Sequence, residues 1–274
     1  MEPVRIVCII GPTASGKSAM AVERALKENG EVISVDSRQV YRMLDIGTEK
    51  ISKEEMRGVP HHLIDIRDPR EPYSAGDFVE DAAHLIDDIH GRGKLPVLAG
   101  GTHFYFDALL SGLPPQTPSN PLLREELEAY STAELYERVH ALDPVRAASL
   151  DPMNRRRLVR ALEILNVHER VPERVPNVRY AVEWVRVEPE RSELRSRIDA
   201  RLKDAFGRGL IEEVERVRAY VGDERLEELG LEYRIVGEYL RGERAEDTLM
   251  PALSAKLWQY AKRQMLWLRK LASS

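Results

Sequence analysis

The run Gly11-Pro12-Thr13-Ala14-Ser15-Gly16-Lys17-Ser18 limits what this chain can fold into more than any other stretch. It fits the pattern G-x-x-x-x-G-K-[ST], follows a β-branched apolar run at 4–10 and precedes a helical pattern at 17–29. Glycine lets the backbone curl until successive N–H groups converge, and the helix N-terminus adds its positive end, so such a loop is an anion nest. Lys17 is then expected to reach the outer phosphates, and Ser18 to ligate Mg²⁺. The plain alternative is a glycine turn that only caps a helix, and the strand–loop–helix context argues against it. The motif points to a polyphosphate without saying which one.

The rest of the chain supplies a matching scaffold. Strand-like runs at 31–35 and 95–99 alternate with helical patterns at 75–90 and 104–110, and Gly30 reads as the C-cap of the helix over 17–29. Strands alternating with helices of this length predict a parallel sheet covered on both faces. The rhythm breaks at "SGLPPQTPSNP", 111–121, where proline dictates an irregular connection. Only helical patterns follow, at 122–130, 132–142 and 154–168, before a linker, one more strand at 179–187 and further helices. The expected fold is α/β: a P-loop NTPase-like parallel sheet flanked by helices, from residues 1–113 and 178–274, with a small all-helical insertion at 114–177.

Composition removes several classes. A net charge of −5 argues against a protein that coats nucleic acid nonspecifically, although a local basic groove stays open. With one cysteine, Cys8, neither an internal disulfide nor a thiolate metal cluster can form, and a reducing compartment fits. No apolar run approaches the roughly 18 residues of a membrane span, and residues 1–5 open no secretory leader. A cytoplasmic protein, here taken as a monomer, is expected.

A phosphoryl-transferring P-loop enzyme usually carries a metal-positioning Asp at the end of a later strand. Here 95–99 runs into Gly-Gly-Thr with no carboxylate, and Asp36, directly after 31–35, is the strand-end acid instead. At the carboxyl edge of a parallel sheet it points into the ligand crevice, where it aids a metal or acts as a base. A turn or N-cap role for Asp36 is the plain alternative on local grounds.

Six blocks in order resemble those of the tRNA dimethylallyltransferases. They are "SVDSRQVYRMLDIGTEK" (34–50), "HHLIDIRDP" (61–69), "YSAGDF" (73–78), "AGGTHFYFDALLSGL" (99–113), "NRRRLVRALEIL" (154–165) and "YAKRQMLWLRK" (260–270). The resemblance spans nearly the whole chain. It implies transfer of a dimethylallyl group from dimethylallyl diphosphate to N6 of the adenosine 3′-adjacent to the tRNA anticodon, with Mg²⁺ as cofactor. The loop at 11–18 would then hold a diphosphate leaving group, with help from Arg234. Asp36 would take the amine proton and Thr102 would hydrogen-bond near the same centre, both also facing tRNA. Ser37, Arg38 and Gln39 would line the acceptor side, Gln39 against the adenine or its neighbour. The partner is the anticodon stem-loop, whose bases are already unpaired and whose target must leave its stack. Arg124 and the block Arg156, Arg157, Leu158, Val159, Arg160 are implied to touch it; a solvated basic face is the plain alternative there.

Some positions depart from the resemblance. Glu49 and Ile51 stand where Ala and Pro are usual, Glu232 replaces Gly before Tyr233, and the insertion is short. A shorter insertion suits a rival reading, an isopentenyltransferase acting on free AMP, ADP or ATP, which has no need of the arginine helix. A small-molecule kinase leaves "SVDSRQ" unexplained, and a non-catalytic RNA-binding switch would make Asp36 dispensable.

Overall fold

Five short strands pair side by side, all parallel, in the order β3-β2-β4-β1-β5. They are β1 (Val4–Ile10), β2 (Gly30–Ser34), β3 (His61–His62), β4 (Leu95–Gly100) and β5 (Tyr180–Arg186). The computed structural model describes residues 2–113, 117, 120–172 and 178–272. Parts of the proline-rich connection expected over 111–121, and of the linker before the last strand, lie outside the described residues.

Helices cover both faces, so β1 beyond the exposed Arg5 is apolar and buried from Ile6 to Ile10 rather than alternating. Side-chain period two still divides it. Ile6, Cys8 and Ile10 pack with Ile33, Leu98, Phe78 and Phe106, whereas Val7 and Ile9 pack with Val32, Val97 and the helix residues Ala21 and Val22. A third cluster joins the helices Arg191–Gly207, Leu210–Val221, Leu231–Leu240 and Leu249–Ala272 through Leu194, Ile198, Val214, Tyr233 and Leu253. These buried sets fix the carboxyl ends of β1, β2 and β4 next to one another, the edge at which open parallel sheets bind ligands.

The chain divides into two compact units, residues 1–110 with 178–274 and residues 111–177. The second is all-helical among its described residues, built on Leu127, Leu135, Val139, Leu158 and Ala161. Its helix Pro121–Glu128 starts at Asn120, whose side chain accepts from Leu123 N–H, and Arg155–Leu165 starts in the same way at Asn154.

Two local readings change. The first helix is Lys17–Lys27, and Asn29 rather than Gly30 takes the left-handed turn, at φ 50°. Gly30 is the first residue of β2, where a Cβ would lie 2.7 Å from the Leu95 carbonyl oxygen, so glycine serves strand approach rather than capping. The short helices Lys53–Met56 and Pro144–Ala148 were not legible as helices; the first is set by a Ser52–Glu55 capping box, the second by Asp143 and a proline. Among the described residues no helix is long and apolar enough to cross a membrane.

Candidate active site

The loop leaving β1 turns twice into left-handed backbone, at Ala14 (φ 60°) and Gly16 (φ 94°), and hands over to the helix Lys17–Lys27. Gly11 cannot carry a side chain: a Cβ there would lie 2.5 Å from the Val187 carbonyl oxygen and 2.8 Å from Ser15 Oγ. Ser15 Oγ is buried with no hydrogen-bond partner among the described residues, and Ser18 is exposed on the first helical turn. Lys17 Nζ donates to the Pro12 carbonyl at 2.6 Å. Burial pushes the Lys17 ammonium down to about 8 against the opposing pull of Asp36, and the Arg201 guanidinium adds to the push.

Asp36 follows β2 and folds back on its own turn, so that its Oδ1 accepts from the N–H groups of Arg38 at 2.8 Å and Gln39 at 3.3 Å. No described residue hydrogen-bonds Oδ2. Thr102 follows β4. Its N–H donates to the Val35 carbonyl at 3.2 Å, and its Oγ1 accepts from Ser37 N–H at 3.1 Å. Gly100 makes this seam possible, because a Cβ there would lie 2.0 Å from the Val35 carbonyl oxygen. Asp36, Ser37 and Thr102 are thus brought together on the edge that also carries Lys17.

Other expected residues fall differently. Gln39 gives its amide hydrogens to the Thr48 and Glu49 carbonyls, both at 3.1 Å, and takes the Ser34 hydroxyl, so it braces the loop. The Arg38 side chain is half-buried, and its guanidinium has no hydrogen bond or ion pair among the described residues. Arg234 is exposed, because its neighbour Tyr233 turns inward to donate to the buried Glu213 at 2.7 Å. The Leu158 side chain is fully buried in the insertion's core, where it supports the arginines around it. Val159 is half-buried against the same cluster.

Within the insertion, Glu163 is buried and organises the basic groups. Its Oε1 accepts from Arg124 Nε at 2.7 Å and Asn120 N–H at 3.0 Å, and its Oε2 from Arg124 Nη2 at 3.0 Å and Arg160 Nη1 at 3.1 Å. Burial alone would raise the Glu163 carboxyl, yet Arg124, the Asn120 amide and Arg160 hold it below its ordinary value. Arg156 and Arg157 are exposed, with no side-chain partner among the described residues. Arg155 turns back to the Leu127 and Tyr130 carbonyls.

Sequence reasoning missed the residues that hold the loop from outside. Gln264 accepts from Thr13 N–H at 2.8 Å and donates to the Gly101 carbonyl at 2.9 Å, tying the loop to the end of β4. Arg201 donates to Thr13 Oγ1 at 2.7 Å and Arg197 to the Ser15 carbonyl at 3.1 Å, from one face of the helix Arg191–Gly207. Their i, i+4 spacing was the only signal available. Glu49 pairs with Arg201 at 3.2 Å and with Arg208 at 3.0 Å, which accounts for an acid where alanine is usual. Glu232 lines a small cavity with Glu49 and Arg201. Burial raises its carboxyl above the ordinary value; Arg201 pulls the other way, and Asp36 and Glu49 add to the rise. A cleft of about 530 Å³ beside Ser18, lined by Val22, Glu49, Ile51, Asp204 and Arg208 among others, reaches neither Asp36 nor Thr102.

An anion nest with a half-buried lysine, facing a strand-tip carboxylate and a threonine hydroxyl, defines a P-loop α/β protein of the group-transfer class. The model of the IPP transferase family matches residues 39–271. A tRNA dimethylallyltransferase of Thermomicrobium roseum is 43% identical over 278 residues, covering 97% of this chain and 84% of that protein. The crystal structure of a full-length tRNA isopentenylpyrophosphate transferase from Bacillus halodurans is 37% identical with a TM-score of 0.74, covering 97% of this chain and 87% of that one. A eukaryotic dimethylallyltransferase acting on tRNA, 28% identical, superposes with a TM-score of 0.82 over 96% of this chain and 69% of its own. The chain belongs to the IPP transferase family.

Replacing Gln264 by Leu leaves the Thr13 N–H and the Gly101 carbonyl without their partner. The expected cost is about 2 kcal/mol of folding stability, read from urea unfolding; an unchanged midpoint would show that the tie carries no load.

Proposed function

We infer that the chain is a tRNA dimethylallyltransferase, moving a dimethylallyl group from dimethylallyl diphosphate to N6 of an adenosine beside the tRNA anticodon. The observation that carries this reading is the meeting of the Lys17 loop with the free Oδ2 edge of Asp36 at one sheet edge. In the reaction the allylic C–O bond breaks, the N6–C bond forms, diphosphate departs and the amine loses a proton.

The chain's own groups match each change. Negative charge grows on the diphosphate, and loop N–H groups and the Lys17 ammonium stand ready to stabilise it. Asp36, with Oδ1 held by two amides, presents Oδ2 as acceptor for the N6 proton. The Thr102 hydroxyl accepts from Ser37 and so keeps its own hydrogen to donate toward the acceptor base. Arg201 and Arg197 fix the loop's shape and add positive charge beside it.

Mg²⁺ fits the residues present. Ser18 offers an exposed hydroxyl in the first turn of the helix Lys17–Lys27, directly after the loop. That pattern suits an ion held by one hydroxyl, waters and substrate phosphates. When bound it would neutralise charge on the leaving group.

The insertion supports tRNA as the acceptor carrier. Arg124 and Arg160 are posted by Glu163, and Arg156 and Arg157 are left exposed. Four cations held this way make an electrostatic footprint for a phosphate backbone, despite a net charge of −5.

Asp36→Asn should slow single-turnover transfer by about 10²–10⁴-fold with tRNA affinity nearly unchanged; full activity would remove the base assignment. The pH profile gives a second test. Lys17 is charged below about 8 in the free protein, and diphosphate capture needs that charge. kcat/KM for the donor should therefore be flat at lower pH and fall as pH rises through about 8, while kcat persists to higher pH because the bound anion stabilises the ammonium. A kcat/KM that stays level to pH about 10, the ordinary range of a lysine, would contradict this.

A further inference from the structure

His103 opens the helix His103–Ser111, directly after Thr102. Its ring lies face to face on Trp267, with centroids 4.3 Å apart and planes 4° from parallel. Trp267 stands on the helix Leu249–Ala272, three positions beyond Gln264, so the surface holding the ring and the tie holding the loop belong to one rigid element. A stacked imidazole cannot swing away to find a partner elsewhere. Yet Nε2 is buried and has no hydrogen-bond partner among the described residues. Burial lowers the His103 pKa to about 4, and the nearby Lys17 ammonium adds to the fall, so the ring is neutral at neutral pH.

A buried ring nitrogen without a partner is costly, and an ordinary core histidine would have found a backbone carbonyl. Packing alone would have been served as well by Phe or Leu. The cradle holds a second buried polar atom in the same condition, Ser15 Oγ. Both lie beside Lys17: Ser15 is two residues before it in the loop, and His103 is within its electrostatic reach. One kind of ligand satisfies both orphans, a phosphate oxygen. A neutral imidazole suits the position, since it donates one N–H without adding a second full charge to a crowded cationic nest.

We propose that His103 is a further diphosphate-binding residue, donating from Nε2–H to a diphosphate oxygen beside Lys17. This rests on the reading that the loop holds a diphosphate. The shared anion is the recognised group, so His103 should act equally on the prenylated donor and on the released product.

The test is equilibrium binding of dimethylallyl diphosphate and of inorganic diphosphate to the whole protein. His103→Phe keeps the stack on Trp267 and removes the donor; His103→Gln restores an N–H at similar reach. His103→Phe should weaken both ligands about tenfold and by the same factor, and His103→Gln should recover most of it. Binding of tRNA should not move in either variant. A companion measurement needs no variant: in ¹⁵N-histidine-labelled wild type, inorganic diphosphate should shift the Nε2 resonance of His103. Equal affinity in wild type and His103→Phe, a loss confined to the prenylated ligand, or an unmoved Nε2 resonance would each overturn the proposal. A wild-type protein that binds neither ligand would overturn the diphosphate reading itself, and this inference with it.

Discussion

The site depends on one side-chain amide. Gln264 accepts from the loop at Thr13 and donates to β4's continuation at Gly101, fixing the distance between the anion nest and the strand tip that leads to Thr102. Val35 and Thr102 then bond across to each other, and Asp36 follows Val35. The nest, the hydroxyl and the carboxylate are therefore set by one chain of short contacts rather than by three separate loops. Preorganisation of this kind is what electrostatic stabilisation of a leaving anion requires, because the donors need not reorient as charge develops.

Charge around that chain of contacts is balanced closely. Arg197 and Arg201 bring two cations to a loop that already carries Lys17, and burial with Arg201 lowers the lysine's hold on its proton. Glu49 takes up part of the excess by pairing with Arg201 and Arg208. Glu232 lies in the same field, its carboxyl raised by burial and by Asp36 and Glu49. The two acids that stand where the resemblance has Ala and Gly thus lie beside the same arginine. In the insertion the balance is simpler, with one buried Glu163 setting Arg124 and Arg160 by direct hydrogen bonds.

What the sequence made legible follows from the range of the forces involved. The loop 11–18, the strands at 4–10 and 95–99 and the strand-end Asp36 are local patterns: glycine turns, β-branched runs and a polar residue at a strand's end. The alternation of strands and helices was enough for the parallel sheet. Gln264 was not legible, because its partner Thr13 is 251 residues away and nothing near Gln264 marks it as an acceptor for that amide. Arg197 and Arg201 look like a solvated helix edge until the helix packs beside the loop. Gly30 was misread because strand approach and helix capping both favour glycine, and only the neighbouring Leu95 carbonyl tells them apart. Leu158 sits within an arginine block, yet the 3.6-residue period turns it inward.

The central claim is that the nest and the carboxylate serve one transfer, from an allylic diphosphate to an adenosine presented on tRNA. It is tested most directly by offering the purified protein labelled dimethylallyl diphosphate with unmodified tRNA, AMP and ATP in parallel. Label in the tRNA, absent from both nucleotides, is the predicted result. Label in AMP or ATP with none in tRNA would contradict the account, as would donor left intact in every mixture.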